Sequence, residues 1–403
     1  MVKLAWRNIW RNKRRTLITT ASIFFGVVLS AFMSSMQEGT YGQYIKTIVN
    51  FYTGYIQIHK IGFWDDKVIN NTLEYNAAFE AKIKQASDIT LTTTRLETFA
   101  LGSSEEITKV VMVMGIDPLK ENIITRLSAK ISSGSYLDEH DKGVVIGSAL
   151  AKYMKLNAND TLVLLGQGYH GVSAAGKYVV RGIIKQPSPE LDRTVVYMDI
   201  AQCQELFSAQ DRLTSVVIMV SDNEYVASCK KKLISTLGPD YEVMDWKEMN
   251  KVLLSQIDGD RAAGVIIKGV LYMIIAFGIL GTIMMMIAER RKEFGVIMAI
   301  GMQKYKLSAI LVLETIFVGL VGVIAGIVAS IPLTYYFMLY PIPITGRAAE
   351  TLSQMGFDPV MNFSMTPPVY YNQAITIFIF TLIIGLYPIW NIIHLKIIKA
   401  LHG

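Results

Sequence analysis

Charge is scarce in this sequence. Asp, Glu, Lys and Arg make up 18% of its 403 residues while 52% are hydrophobic, a balance too apolar for an ordinary soluble protein. Cysteine is scarcer still: Cys203 and Cys229 are the two present, and neither stands at metal-ligand spacing from a histidine. The five histidines (His59, His140, His170, His394, His402) are scattered, and no H-E-x-x-H occurs. No G-x-x-x-x-G-K-[ST] is present either, which excludes ATP binding through a P-loop. Asp138-Glu-His140-Asp141 comes nearest to a metal cluster and reads more simply as an exposed loop. Nothing marks a covalent nucleophile. The expectation is a non-catalytic chain with no catalytic, metal or cofactor-binding residues of its own.

What the sequence has in quantity is long apolar runs. A hydrocarbon core of ~30 Å takes about 20 helical residues to cross, and windows of that length fall at 17–36, 269–288, 307–331 and 373–394. More than 200 residues of mixed polarity separate the first two, enough to bury a core of their own. The predicted fold is therefore a membrane protein with four transmembrane α-helices in a one-plus-three order. A large α+β extracytoplasmic domain is inserted between the first and second.

The net charge of +6 is a matter of topology. Residues 37–264 hold 24 basic and 28 acidic residues, net −4, and the remainder holds 15 and 5, net +10. Six of those cations lie between Lys3 and Arg15 and five between Arg290 and Lys306, with Lys396 and Lys399 in the tail. The loop between the last two spans has only Arg347. Basic residues concentrate on the cytoplasmic side, so the N-terminus, central loop and C-terminus are expected in the cytoplasm of a bacterial inner membrane. Nucleic-acid binding has no support. The cysteines fall in the domain placed outside, where a disulfide is permitted; two buried free thiols are the alternative.

The predicted segments are a cytoplasmic interfacial helix (1–15), the first span (16–37), the outer domain (38–264), the second span (265–288), a cytoplasmic loop (289–306), the third span (307–333), an outer loop (334–370), the fourth span (371–395) and a tail (396–403). In the first segment Trp6 and Trp10 stand one turn apart, while Arg7, Arg11 and Arg14 follow a second face. Such a helix lies in the membrane interface, with rings in the headgroups and cations toward phosphate. Trp6, Trp10, Arg11 and Arg14 are its candidate lipid contacts. Ser22, Gly26 and Ser30 in span one, and Gly319, Gly322 and Gly326 in span three, form small-residue faces for close helix packing, within the chain or with a second one.

In the large domain, alternation predicts strands over 55–59, 89–101, 107–116, 161–165, 178–184, 194–198, 215–220 and 241–244. Helical spacing falls over 76–86, 147–154, 200–207, 224–237 and 246–259, and 131–136 reads as a turn-rich entry. Gly166-Gln-Gly-Tyr-His-Gly171 matches G-x-G-x-x-G but leads into another strand rather than a helix, so it predicts a hairpin tip and not a nucleotide site. Met284-Met285-Met286 is adaptable packing, since consecutive helical residues do not converge on one ion. Glu314 lies about 12 Å into span three, where an ionisable group is costly. It is a candidate for intramembrane coupling, with a structural hydrogen bond as the alternative.

Between spans two and three runs Ala288-Glu-Arg-Arg-Lys-Glu-Phe-Gly-Val-Ile-Met-Ala-Ile-Gly-Met302, five charges followed by an apolar stripe. It resembles the coupling helix of ABC-transporter permeases of the FtsX/MacB/LolC type, with Glu289, Arg290, Arg291, Glu293, Phe294, Gly295, Ala299, Ile300 and Gly301 in the matching positions. The order of segments is similar to that class over the whole chain. Leu4-Ala-Trp-Arg-Asn-Ile-Trp10 and Gly54-Tyr-Ile-Gln-Ile-His59 are most like the lipoprotein-releasing branch. The resemblance implies a porter-like part near 45–115 and 212–250, an inserted middle part over 116–211, and ATPase contacts at Arg290, Arg291, Glu293 and Phe294. It further implies a separate cytoplasmic ATPase subunit carrying ATP and Mg, a second permease copy or paralogue, a lipoprotein substrate and membrane lipids as partners. The expected function is transmission of ATP-driven motion to the outer domain to extract lipoproteins. The alternatives are MacB-like export of peptides or antibiotics and non-transporting mechanotransmission to a cell-wall hydrolase.

Overall fold

Strand alternation and helical apolar runs sort this chain into two compact units. One comprises Met1–Gln43, Gln256–Pro343 and Val360–Gly403, the other Tyr44–Ser255 and Ile344–Pro359. The structure, a computed structural model, describes residues 2–11, 13–105, 107–354 and 357–394. The predicted tail, with Lys396 and Lys399, lies outside the described residues.

The first unit is helical. Helix α1 (Val2–Arg11) ends sooner than the predicted 1–15 segment, because Lys13 and Arg14 already belong to α2 (Lys13–Ile48). The other helices are α3 (Lys251–Glu289), α4 (Arg291–Ala299), α5 (Lys304–Leu339), α6 (Pro367–Ile384) and α7 (Tyr387–Ile393). Among the described residues four helical segments are long and apolar enough to cross a membrane: Thr16–Thr53, Lys251–Glu289, Lys304–Leu339 and Pro367–Ile393. At 1.5 Å per residue a helix of 36 residues runs about 54 Å, so these rods outreach a ~30 Å core and exceed the predicted span limits. α6 stops at Gly385, and Pro388 sits in the first turn of α7, where its missing N–H costs no helical hydrogen bond.

The small residues have partners in the same chain. A Cβ built on Gly322 would come within 2.8 Å of Ile23 of α2, and one on Gly326 within 2.7 Å of Val27. Gly319 faces Phe378 of α6 at 3.2 Å, and Gly26 of α2 faces Ile275 of α3 at 2.9 Å. Removing the side chain is what lets these backbones approach.

The second unit is built on one ten-stranded sheet. Its strands are β1 (Ile56–Lys60), β2 (Ile89–Ser103), β3 (Thr108–Ile116), β4 (Ile131–Gly134), β5 (Val144–Gly147), β6 (Thr161–Gln167), β7 (Ser173–Ile184), β8 (Val195–Asp199), β9 (Ser215–Val220) and β10 (Tyr241–Asp245). Their order is β10-β1-β9-β2-β3-β8-β5-β7-β4, with β6 pairing both β2 and β7. The β3–β8 and β5–β7 pairs are parallel and the rest antiparallel. β6 and β7 close around Gly168, so the G-x-G-x-x-G letters do form a hairpin tip.

β3 is buried on both faces. Val111 and Val113 enter one core with Leu96, Leu150, Leu164 and Phe207, while Met114 and Ile116 enter another with Leu127 and Tyr197. Successive side chains alternate across a strand, and here each side has a cover. A third core joins chain from both ends of the domain, including Ile58, Phe79 and Ile83 with Ile218, Leu233 and Trp246. Cys203 lies in the first of these cores and Cys229 in the third; both are free, buried thiols, not a disulfide. Two short strands escape the alternation rule. Val144–Gly147 is a continuous buried apolar run, and Ile131–Gly134, predicted as a turn, pairs with β7 at the sheet edge. The helix predicted over 246–259 is interrupted at Asn250, which ends the Trp246–Met249 turn before α3 begins.

Candidate functional site

Five charged residues in the loop between the second and third spans were expected to face solvent together. The structure divides them. In α4 Phe294 and Met298, one helical turn apart, turn inward with Gly295 and are buried. Arg291 and Lys292 are exposed. On the same outward side Val296 is 47% and Ile300 82% exposed. The spacing of 292, 296 and 300 is one residue per turn, which aligns a cation with two apolar side chains on one face.

Arg290, the residue before α4 and one of the expected ATPase contacts, goes inward. Its side chain is 8% exposed. The guanidinium reaches the Glu314 carboxylate of α5 at 3.1 Å and Glu293 at 3.2 Å, and lies over the Phe294 ring at 5.1 Å. Phe294, another of the expected contacts, is likewise buried. Glu289 is exposed, and Glu293 is half-exposed but engaged within the chain.

Helix α1 completes the cluster. Asn8 donates from Nδ2 to Glu314 Oε1 at 2.6 Å, and Arg11 donates from Nη2 to Glu293 Oε2 at 2.9 Å. Each of the two carboxylates thus receives one donor from α1 and one from Arg290. Two cations and two anions make the cluster neutral; its Arg290–Glu314 pair is buried and its Arg11–Glu293 pair half-exposed. Arg11, a predicted interface residue, thus also braces the loop while its side chain stays 55% exposed. Trp6 and Trp10 are exposed on the other side of α1, and Trp6 packs edge-on against Phe317 of α5 at 5.6 Å. Arg14 is exposed.

A cavity of about 40 Å³ opens beside the cluster, lined by Asn8, Thr16, Arg290, Glu314, Thr315 and Thr381 among others. That is room for a few waters, each needing roughly 10–15 Å³, and the lining offers them polar partners. Room for water next to a buried ion pair would lower the cost of rearranging it. The arrangement has no nucleophile and no ligand set; no group of His, Cys, Asp and Glu suited to a metal occurs among the described residues. It is a clasp that links α1, the α4 segment and α5 by directional, charge-assisted bonds.

The α+β domain contains its own buried charges. Arg95 is fully buried and meets Glu121 in a fork, at 3.1 Å from Nε and 2.7 Å from Nη2, while Tyr52 donates to Glu97 at 2.7 Å. Arg95 also donates to the Tyr52 carbonyl, in the π-helical turn Val49–Thr53. The turn is thereby fixed to the middle of β2. His59, also buried, donates from Nδ1 to the Thr214 carbonyl at 2.9 Å, which leaves Nε2 with no partner among the described residues. Burial pushes its pKa down to about 4; the Thr214 carbonyl works against that shift and Lys67 and Arg95 add to it.

The inward turn of Arg290 was not foreseen. The available signal was Glu314: a carboxylate inside a span asks for a donor, and Arg290 is near the same membrane face. Val296 is a surface residue that sequence reasoning missed, although its four-residue spacing from Lys292 and from Ile300 marks a face distinct from that of Phe294 and Met298.

Two family models match this chain: the FtsX-like permease C-terminal over residues 265–397, and the MacB-like periplasmic core domain over residues 16–236. It is 27% identical over 210 residues to an uncharacterized ABC transporter permease of Methanocaldococcus jannaschii, covering 50% of each chain. It is 20% identical over 332 residues to the lipoprotein-releasing system transmembrane protein LolC of Neisseria meningitidis serogroup B, covering 78% of this chain and 76% of LolC. With the macrolide export ATP-binding/permease protein MacB of Agrobacterium fabrum it shares 20% identity over 359 residues, covering 84% of this chain and 53% of MacB. The chain thus spans about half the length of the archaeal permease and of MacB.

Proposed function

Because the chain belongs to the FtsX/MacB family of ABC-transporter permeases, we propose that it carries ATP-driven motion from a separate cytoplasmic ATPase to its α+β domain on the far side of the inner membrane, and that this motion extracts lipoproteins. The observation that carries the reading is the division of the α4 segment. One side offers Lys292, Val296 and Ile300 outward, and the other is tied through Arg290 to Glu314 of α5. An exposed apolar pair beside cations is a surface suited to a protein partner. The buried side converts any displacement of that surface into a displacement of α5 and α1.

In this mechanism ATP and Mg sit on the partner subunit. Closure of two ATPases would push α4, and Arg290 would pull Glu314, with Asn8 and Arg11 carrying the interfacial helix along. Coupling needs an element with two arrangements whose equilibrium ATP biases; we assign that role to the clasp and the cavity beside it. The uncovered apolar side of α3, with Val265, Met273, Ile274 and Phe277 exposed, is the face for a second permease copy or paralogue. The positive-inside distribution supports cytoplasmic termini.

Lipoprotein is the favoured cargo because the similarity to LolC runs over most of both chains. Each buried CH₂ of an acyl chain is worth roughly 0.8 kcal/mol, so a multiply acylated protein does not leave a bilayer unaided. The match to the MacB-like core domain supports peptide or antibiotic export as the second reading. The test is reconstitution of the chain, with the ATPase that purifies with it, in vesicles holding a triacylated lipoprotein. ATP-dependent appearance of the lipoprotein in the soluble fraction is expected. A complex that hydrolyses ATP yet leaves every lipoprotein in the bilayer overturns the cargo assignment and moves the reading to export.

A further inference from the structure

On the side of α1 away from the clasp lies an unused groove of about 550 Å³. Its walls are Trp6 and Trp10 of α1, Leu17 of α2, and Val318 and Val321 of α5; its rim carries Lys13 and Arg14. The volume falls in the range of roughly 300–1,000 Å³ typical of small-molecule sites. We propose that this groove is a specific site for one anionic phospholipid, with an acyl chain along the apolar wall and the phosphate on Lys13 and Arg14.

Three observations support that occupant. The first is charge: both ionisable residues on the groove are cations, and neither makes an ion pair among the described residues. Glu289 lies with Arg11, Lys13 and Arg14 around a separate depression, where cations outnumber it. The second is rigidity. Trp6 is held edge-on by Phe317 at 5.6 Å and by Trp10 at 6.3 Å, and the opposite face of α1 is pinned by the Asn8–Glu314 and Arg11–Glu293 bonds. A wall fixed from both sides does not collapse when empty, so a ligand enters without an ordering cost. The third is polarity along the groove: cations at the first turn of α2, then Leu17 and Thr20 deeper along the same helix, beside Val318 and Val321. A charged mouth leading to an apolar wall matches a phosphate joined to a hydrocarbon chain, and indoles favour that headgroup depth. A free phosphate has no use for the wall, and a neutral lipid has none for the rim.

The test is native mass spectrometry of the full chain after exchange into mild detergent supplemented with equal phosphatidylglycerol and phosphatidylcholine. One retained lipid per chain is expected, with phosphatidylglycerol favoured at least five-fold. Lys13→Gln/Arg14→Gln should abolish the preference, and Val321→Trp, which fills the groove, should abolish retention. Glutamine is used because charge reversal would disturb insertion. Unfolding midpoints matching wild type establish that both variants are folded. Equal retention of the two lipids would mean a non-selective lipid belt and would overturn the proposal. So would unchanged selectivity in the glutamine variant, or loss of retention on dimerisation, which would assign the groove to a second copy.

Discussion

Moving the purified chain from pH 7.5 to pH 4.5 should destabilise its α+β domain by about 2.5 kcal/mol through one side chain, a figure set by 1.36 kcal/mol per pKa unit. That side chain is His59, whose pKa is pushed from an ordinary 6.5 down to about 4. The structural cause is visible: Nδ1–H is used on the Thr214 carbonyl, Nε2 is buried without an acceptor, and Phe63 and Trp64 pack on the ring. Protonation would place a second donor and a charge there, near Lys67 and Arg95, which repel it. Between pH 6.5 and 4 the unfolded chain binds a proton that the folded one refuses, so stability is whole above 6.5 and falls as the pH drops toward 4. For a domain of this size each kcal/mol moves the midpoint roughly 2–4 °C, giving about 5–10 °C at pH 4.5. His59→Gln keeps a donor for Thr214 and cannot titrate. Fluorescence melts following Trp64 and Trp246, with Trp6, Trp10 and Trp390 changed to Phe, would read the domain alone. The wild type should lose that many degrees more than His59→Gln over the same pH interval. Parallel losses in the two proteins would refute the reasoning.

Two further predictions concern buried ion pairs. Arg95→Met should destabilise the domain by about 3–5 kcal/mol, because Glu121 is left buried and unpaired, whereas Arg95→Met/Glu121→Leu should recover most of that loss in the same melts. In the membrane unit, Arg290→Met should lower the detergent melting temperature and Arg290→Met/Glu314→Leu should restore it. The restored protein should still fail to couple ATP hydrolysis to cargo release. A fully coupled double variant would show that the clasp only stabilises the bundle.

Much of the architecture was legible because it follows from periodicity. Apolar runs of span length and period-two strands need no tertiary knowledge, and Gly322 and Gly326 announced a close helix contact, although only the fold shows that Ile23 and Val27 of α2 fill it. The short strands were illegible for the converse reason. Val144–Gly147 is buried on both sides, so it has no alternation, and Ile131–Gly134 is specified by its pairing with β7 rather than by its own Ser-Ser-Gly residues. The site was half legible. The charged loop was located, but five adjacent charges in a row look equally solvated until Glu314, 24 residues beyond Arg290, selects one of them. Cys203 and Cys229 show the same limit, since which core each joins depends on strand order.

The central claim is that an ATPase docks on the outward face of α4. Affinity purification of the full chain from its native membranes, with identification of the subunits retained, tests it directly. A nucleotide-binding subunit should accompany the wild type and be lost, at an unchanged melting temperature, from Lys292→Glu/Ile300→Asp. Equal recovery of that subunit by the variant, or its absence from the wild-type complex, would contradict the account.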